Sequence, residues 1–253
     1  MTPSRGWVIH RYDSVASTMD VAARLARFGA PERTAVVSAE QTAGRGRAGR
    51  AWQAPPGSSL FCTLVLRPQV APNRLSTLPL VTGMAVAEAI EQLTGTPVQL
   101  KWPNDVWIGS DPERRKVAGI LAASALRGSA IEHALIGIGV NIAAADALPP
   151  GATTLQAATG AAPPAHELLL TILARVDPAY DAFVSSGGRS ALGQWRSRAV
   201  LLGEQVALED ARRVHRGVFV GIDEDGALLL RDREQGLLRF VAGDLIRGPR
   251  ALP

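Results

Sequence analysis

One cysteine in 253 residues leaves no partner for an internal disulfide, which excludes a disulfide-stapled scaffold and suits a reducing compartment. That residue, Cys62, lies in the apolar run Ser59–Leu66 (SLFCTLVL), where a thiol is buried and inert. Histidine is scarce too. His10, His133, His166 and His215 are scattered without metal-ligand spacing, which argues against a zinc centre. Neither a Ser-His-Asp nor a Cys-His arrangement is visible, so covalent catalysis through an enzyme nucleophile is not expected. No apolar run approaches the roughly 18 residues of a membrane span, and the opening MTPSRGW has no signal core. The expected location is cytoplasmic, with no membrane partner. The net charge of +4 is small and spread out, which gives little reason to expect a nucleic-acid partner.

What is present is ample apolar material, 47% of the residues, in a chain long enough for one large domain or one medium and one small. Trp7–Tyr12 reads as a strand, and a helical pattern follows through Phe28, with Gly29 as the stop. Thr34–Ala39 and Ser59–Leu66 read as strands, the second buried on both faces. Leu75–Leu93 has helical periodicity, with Gly95 just beyond. Val98–Trp102, Val106–Ile108, Lys116–Ser124 and Ala134–Val140 are further strands, and Gly109–Arg115 makes a turn between the second and third of these. Ala143–Ala165 is an irregular connection. Glu167–Ser185 is helical, although Pro178 must kink or split it, and Arg189–Arg198 is a short helix. Beyond Leu202 the pattern changes to short β runs between turns, at Gln205–Leu208, Val214–Ile222, Ala227–Arg231 and Leu237–Val241. These predict a small β-barrel, and a boundary that divides the chain into residues 1–200 and 201–253.

The chemistry concentrates in Glu40–Trp52, EQTAGRGRAGRAW. Glycines at 44, 46 and 49 permit close backbone approach, and arginines at 45, 47 and 50 offer donor forks for carboxylate or phosphate. The run spells G-x-G-x-x-G, but Gln53-Ala54-Pro55-Pro56-Gly57 cannot open a helix. The position roughly 20 beyond Gly49 is Gln69 rather than an acid, so the dinucleotide-binding reading fails. Read alone, the loop is either a solvated arginine-rich segment or a site holding a small acid against a nucleotide. Ser17 and Thr18 suit an N-cap. Lys101 and Asp105 flank the turn Pro103-Asn104-Asp105, as a surface pair or as ligand contacts. Lys116 opens an apolar strand, an odd place for a charge without a partner, and Asn141 suits a turn after a strand.

Taken together and in order, DSVAST, EQTAGRGRAGRAW, KWPND, KVAGIL and GIGVNI resemble the motifs of biotin protein ligases, over residues 13–142. The resemblance implies an α+β fold with a central mixed β-sheet flanked by helices, like the class II aminoacyl-tRNA synthetases and the biotin–lipoate ligases, followed by an SH3-like barrel. It implies that biotin is activated by ATP with Mg²⁺ to biotinyl-5′-AMP. The biotin then passes to a lysine on a biotin carboxyl carrier domain of acetyl-CoA carboxylase or a related carboxylase. Arg47, Lys116, Lys101 and Asp105 would be catalytic. Ser17, Thr18, Gln41, Gly44 and Gly119 would hold biotin, together with Arg45, Arg47 and Lys116. ATP would meet Arg45, Arg47, Arg50, Lys101, Asn104, Lys116 and Asn141, with Trp52 against the adenine and Asp105 on Mg²⁺. Met19 stands where the family often has Asn, and the 109–115 turn is longer than is usual in the family. Arg50 either meets the ligand or braces the loop. Only 12 residues precede Asp13, so the form without an N-terminal DNA-binding domain is expected. A lipoate or octanoate ligase and a non-catalytic biotin-sensing regulator are the alternatives. Monomer and homodimer fit equally.

Overall fold

A computed structural model describes residues 6–52, 54–143, 148–210 and 213–247. Seven strands make the larger sheet: β1 (Val8–Val15), β2 (Thr34–Gln41), β3 (Ser59–Leu66), β4 (Val98–Lys101), β5 (Asp105–Ile108), β6 (Arg115–Arg127) and β7 (Ala130–Asn141). Their spatial order is β1-β2-β3-β7-β6-β5-β4. β1 and β2 run parallel because helix α1 (Thr18–Arg27) carries the chain back between them. The remaining neighbours are antiparallel, so the sheet is mixed as expected.

β3 is buried at all of its positions, as an uninterrupted apolar run requires of a central strand. Burial pushes the Cys62 thiol up to about 12. Cys62 should therefore resist a thiol reagent at pH 8 in the native protein and react once the chain is unfolded in urea. Fast labelling of the folded protein would contradict this burial.

α2 (Leu78–Thr94) and α4 (Ala165–Ser186) share one apolar core with β3 and β6, while α1 forms a smaller core on Val36, Val65 and Leu135. α2 begins at Leu78 rather than Leu75 because Pro72–Thr77 winds as a 3₁₀ turn, and it stops at Gly95 with φ 67°. α4 is one helix with Pro178 inside it, so of the two outcomes expected, a kink or a split, the split does not occur. The proline forgoes one backbone bond, and packing of Leu169, Ile172, Val176, Tyr180 and Phe183 in the core holds the helix together across it. The stretch expected to be irregular, Ala143–Ala165, contains helix α3 (Leu155–Thr159), while its residues 144–147 lie outside those described. Thr154 caps α3 by accepting a hydrogen bond from the Ala157 backbone N–H at 3.1 Å.

After α5 (Arg189–Ser197), the C-terminal strands are β8 (Gln205–Glu209), β9 (Val214–Ile222), β10 (Leu228–Asp232), β11 (Gly236–Phe240) and β12 (Asp244–Arg247). They form an antiparallel sheet in the order β11-β10-β9-β8-β12. Where a closed barrel was expected, the sheet ends at β11 and β12, which do not pair with each other among the described residues. The sheet is packed onto the rest of the protein. Leu208, Phe219, Leu228 and Leu230 belong to the same core as α2. The Trp102 indole donates to Gly226 O at 3.0 Å, and a Cβ on Gly226 would lie 2.7 Å from Leu80 Cδ1. Among the described residues no helix is long and apolar enough to cross a membrane.

Candidate active site

The ends of β2 and β4–β7, the Arg-rich loop and β12 enclose a cleft of about 540 Å³. Its loop is a small hairpin. Arg45 bridges to Ala51, Gly46 N–H donates to Arg50 O at 2.7 Å, and Trp52 N–H donates to Gly44 O at 2.9 Å. Closure brings Gly44 so near that a Cβ there would lie 2.3 Å from Trp52 O. That crowding accounts for the glycine, and Gly44 itself is not among the residues lining the cleft.

A chain of small polar groups lines the cleft. Ser17 caps α1, accepting from Met19 N–H at 3.3 Å. Gln41 Oε1 accepts from both the backbone N–H and the hydroxyl of Thr18, at 2.8 and 3.0 Å, and Thr63 donates to the Thr18 hydroxyl at 2.8 Å. Ser17 thus serves as the cap that its sequence position suits.

Gly119 and Gly139 face each other across β6 and β7. Their missing side chains leave a bare patch of sheet, and the Trp52 indole lies on it, 2.7 Å from where either Cβ would be. Met19 meets Gly137 in the same way, its sulfur 3.1 Å from an added Cβ. Gly139→Ala is expected to push the indole off the sheet, at a cost of about 1–3 kcal/mol. Urea unfolding measures it, and an unchanged midpoint would show that the ring yields freely.

Cations and acids crowd the same cleft. Lys116 Nζ lies 2.6 Å from Asp105 Oδ1 and 5.1 Å above the Trp52 ring, which supplies the partner its apolar strand demanded. Lys101 Nζ lies 4.9 Å from the Trp107 ring centre. Burial pulls its pKa below the ordinary lysine value, with Asp105 opposing the shift. Arg47 donates to Asn104 Oδ1 at 3.3 Å, Asp244 Oδ1 at 3.2 Å and Gly243 O at 3.2 Å. Desolvation lowers its pKa too, against the pull of Asp244. Arg50 donates to Asp244 Oδ2 at 2.8 Å, and Arg45 pairs with Asp20. Asn104 clasps β6 by donating to Ile120 O at 2.7 Å while its own carbonyl accepts from Ile120 N–H at 2.9 Å. Asn141 donates to Thr153 O at 3.1 Å.

Such a lining suits a polyanion. Among the described residues no three His, Cys, Asp or Glu side chains converge on a metal position. Asp105 is one carboxylate amid cations, so it fits Mg²⁺ as a single ligand of an ion whose other ligands are phosphate oxygens and water. Sequence reasoning missed Asp244, which lies far along the chain in a strand with no apolar run, and Trp107, whose ring also lines the cleft.

Comparison with known proteins fits this geometry. The model of the biotin/lipoate A/B protein ligase family matches residues 12–141, and that of the biotin protein ligase C-terminal domain matches residues 201–248. A biotin–[acetyl-CoA-carboxylase] ligase of Paracoccus denitrificans is 39% identical, over 78% of this chain and 83% of the relative. The bifunctional ligase/repressor BirA of Bacillus subtilis is 31% identical, over 94% and 73%. The structure of a biotin protein ligase from Aquifex aeolicus in complex with biotin and ATP superposes with a TM-score of 0.79 at 31% identity, covering 95% of this chain and 99% of that one.

Proposed function

This chain belongs to the biotin protein ligase family, and on that premise we propose that it activates biotin with ATP and transfers it to a protein lysine. In the first step a biotin carboxylate oxygen attacks the α-phosphorus of ATP. The bond to the β-phosphate breaks, giving biotinyl-5′-AMP and pyrophosphate. In the second a lysine amine of a biotin carboxyl carrier domain attacks the acyl carbon, loses a proton and displaces AMP. Both steps are direct displacements that need no enzyme nucleophile. The Aquifex aeolicus structure with biotin and ATP supports the choice of substrates.

The observation that carries this reading is that Lys101, Lys116 and Arg47, all within the electrostatic reach of Asp105, line the same cleft as the polar chain of Thr18 and Gln41. Two anions must meet in the first step, and fixed cations in a partly dry cleft lower that barrier. In this reading Ser17, Thr18, Gln41 and Gly119 hold the biotin head, and Gly44 shapes the loop beside it. Arg45, Arg47 and Lys116 take the carboxylate and the α-phosphate. Lys101, Asn104 and Asn141 serve the nucleotide. Trp52 shields it, and Arg50 braces the loop through Asp244. Asp105 would give Mg²⁺ its protein ligand, the ion supplying neutralisation of phosphate charge, and Asp105 would also orient the incoming amine. Residues 1–200 would form the catalytic domain and 201–253 an SH3-like domain beside it.

Mass spectrometry of the protein incubated with biotin, ATP and Mg²⁺, with and without a carrier domain, tests this. A bound biotinyl-5′-AMP and a carrier heavier by one biotin are expected. An adenylate with lipoate or octanoate but not with biotin would overturn the substrate, and no adenylate with any acid would overturn the reaction.

A further inference from the structure

The 109–115 turn reaches the C-terminal sheet. Arg247, the last residue of β12, donates through Nη1 to Asp111 Oδ1 at 2.8 Å and through Nη2 to Asp111 Oδ2 at 2.7 Å. It also donates to Glu204 Oε1 at 3.2 Å. At the other end of the same four-residue strand stands Asp244, which accepts from both Arg47 and Arg50. β12 is an edge strand, paired on one side with β8. Its pairing with β8 and the burial of Leu245 in the main core set its register and depth, which leaves the lie of its two ends to the ion pairs they make. The turn and the Arg-rich loop therefore hold opposite ends of one small strand.

We propose that Asp111 is a positioning residue: by clamping Arg247 it sets where β12 carries Asp244, and so where Arg47 and Arg50 stand in the cleft. Asp111 is not itself among the residues lining the cleft, so it acts through β12. The Arg247 side chain is 34% exposed and that of Asp111 42%, so the pair adds little to global stability. What it contributes is geometry, since a bidentate fork fixes angle as well as distance. The inference rests on the reading that the loop arginines serve ATP.

The test uses the full-length chain with Asp111→Asn, Asp244→Asn and both together. Asp111→Asn should raise the KM for ATP in adenylate formation by about three- to tenfold, leave kcat within about twofold and barely move the melting temperature. If Asp111 acts through Asp244, the double variant should have a KM no higher than Asp244→Asn alone. Hydrogen exchange without ligand should be faster in residues 43–51 of Asp111→Asn than in the parent. An unchanged KM, or additive effects of the two substitutions, would overturn the proposal. If the parent makes no adenylate at all, the ligase reading fails separately and the exchange measurement decides: faster exchange supports the clamp, and unchanged exchange ends it.

Discussion

Lys116→Ala is expected to lower the rate of adenylate formation by about 10²–10³ with the fold intact, a loss of roughly 2–4 kcal/mol of transition-state stabilisation. Lys116 is the cation placed between Asp105, at 2.6 Å, and the Trp52 ring, at 5.1 Å, in a cleft where the proposed reaction brings a carboxylate up to a triphosphate. Two effects add. The variant removes a positive charge where negative charge gathers, and it leaves Asp105 without its salt-bridge partner, as a fixed negative charge in the path of both anions. The second effect predicts non-additivity: Lys116→Ala combined with Asp105→Asn should lose less than the sum of the two single losses. Lys116→Arg should not restore the rate fully, because a planar fork does not occupy the place of a compact ammonium. Single-turnover formation of the adenylate, with circular dichroism as the control for folding, measures all of these. Near-normal turnover by Lys116→Ala would remove the residue from the chemistry.

Trp195→Ala is expected to lower stability by about 3–5 kcal/mol, a large share of the roughly 5–15 kcal/mol that a native protein has. Trp195 is 2% exposed and belongs to the core that joins α2, α4 and the C-terminal strands. Its helix, α5, packs on α2, α4 and β9, so the cavity opens where the two sheets share a core. The residues after α5 also hold the edge of the larger sheet: Leu100 N–H donates to Arg198 O and Val200 N–H to Leu100 O, both at 2.9 Å. A fall in melting temperature on the order of 10 °C is expected. A fall of about 2 °C or less in a scanning calorimeter would mean that the site collapses around the missing ring.

Where a local pattern decides the structure, reading the sequence succeeds. Ser59–Leu66 and Val214–Ile222 have the ends expected of them, because an uninterrupted apolar run and a run bounded by turns mark their own limits. Glycine at 95 stops α2 where it should. The dispersed motif residues Thr18, Gln41, Arg47, Lys101 and Lys116 line one cleft. What stayed hidden depends on partners distant in sequence. β12, DLIR, has neither length nor alternation, and it is a strand because β8 is there to pair with it. The partner of Arg47 and Arg50 is Asp244, and no spacing within the loop points to it. The length of the 109–115 turn was visible, but its contact with Arg247 was not. At Pro178 the sequence left a kink and a split both open, and core packing along α4 decides against the split.

The pairing of β3 with β7 has a consequence for how the chain reaches its native state. Ser59 pairs with Asn141 and Leu66 with Ala134, so the middle of the larger sheet closes only after α2 and three further strands have been made. Loop closure over such a span is slow beside the successive hairpins β8–β9, β9–β10 and β10–β11. A nascent chain that has not yet supplied β7 displays β3, apolar on both faces, with one edge unpaired, a ready template for aggregation. The strand most completely hidden in the finished protein is thus the one most in need of a chaperone during synthesis.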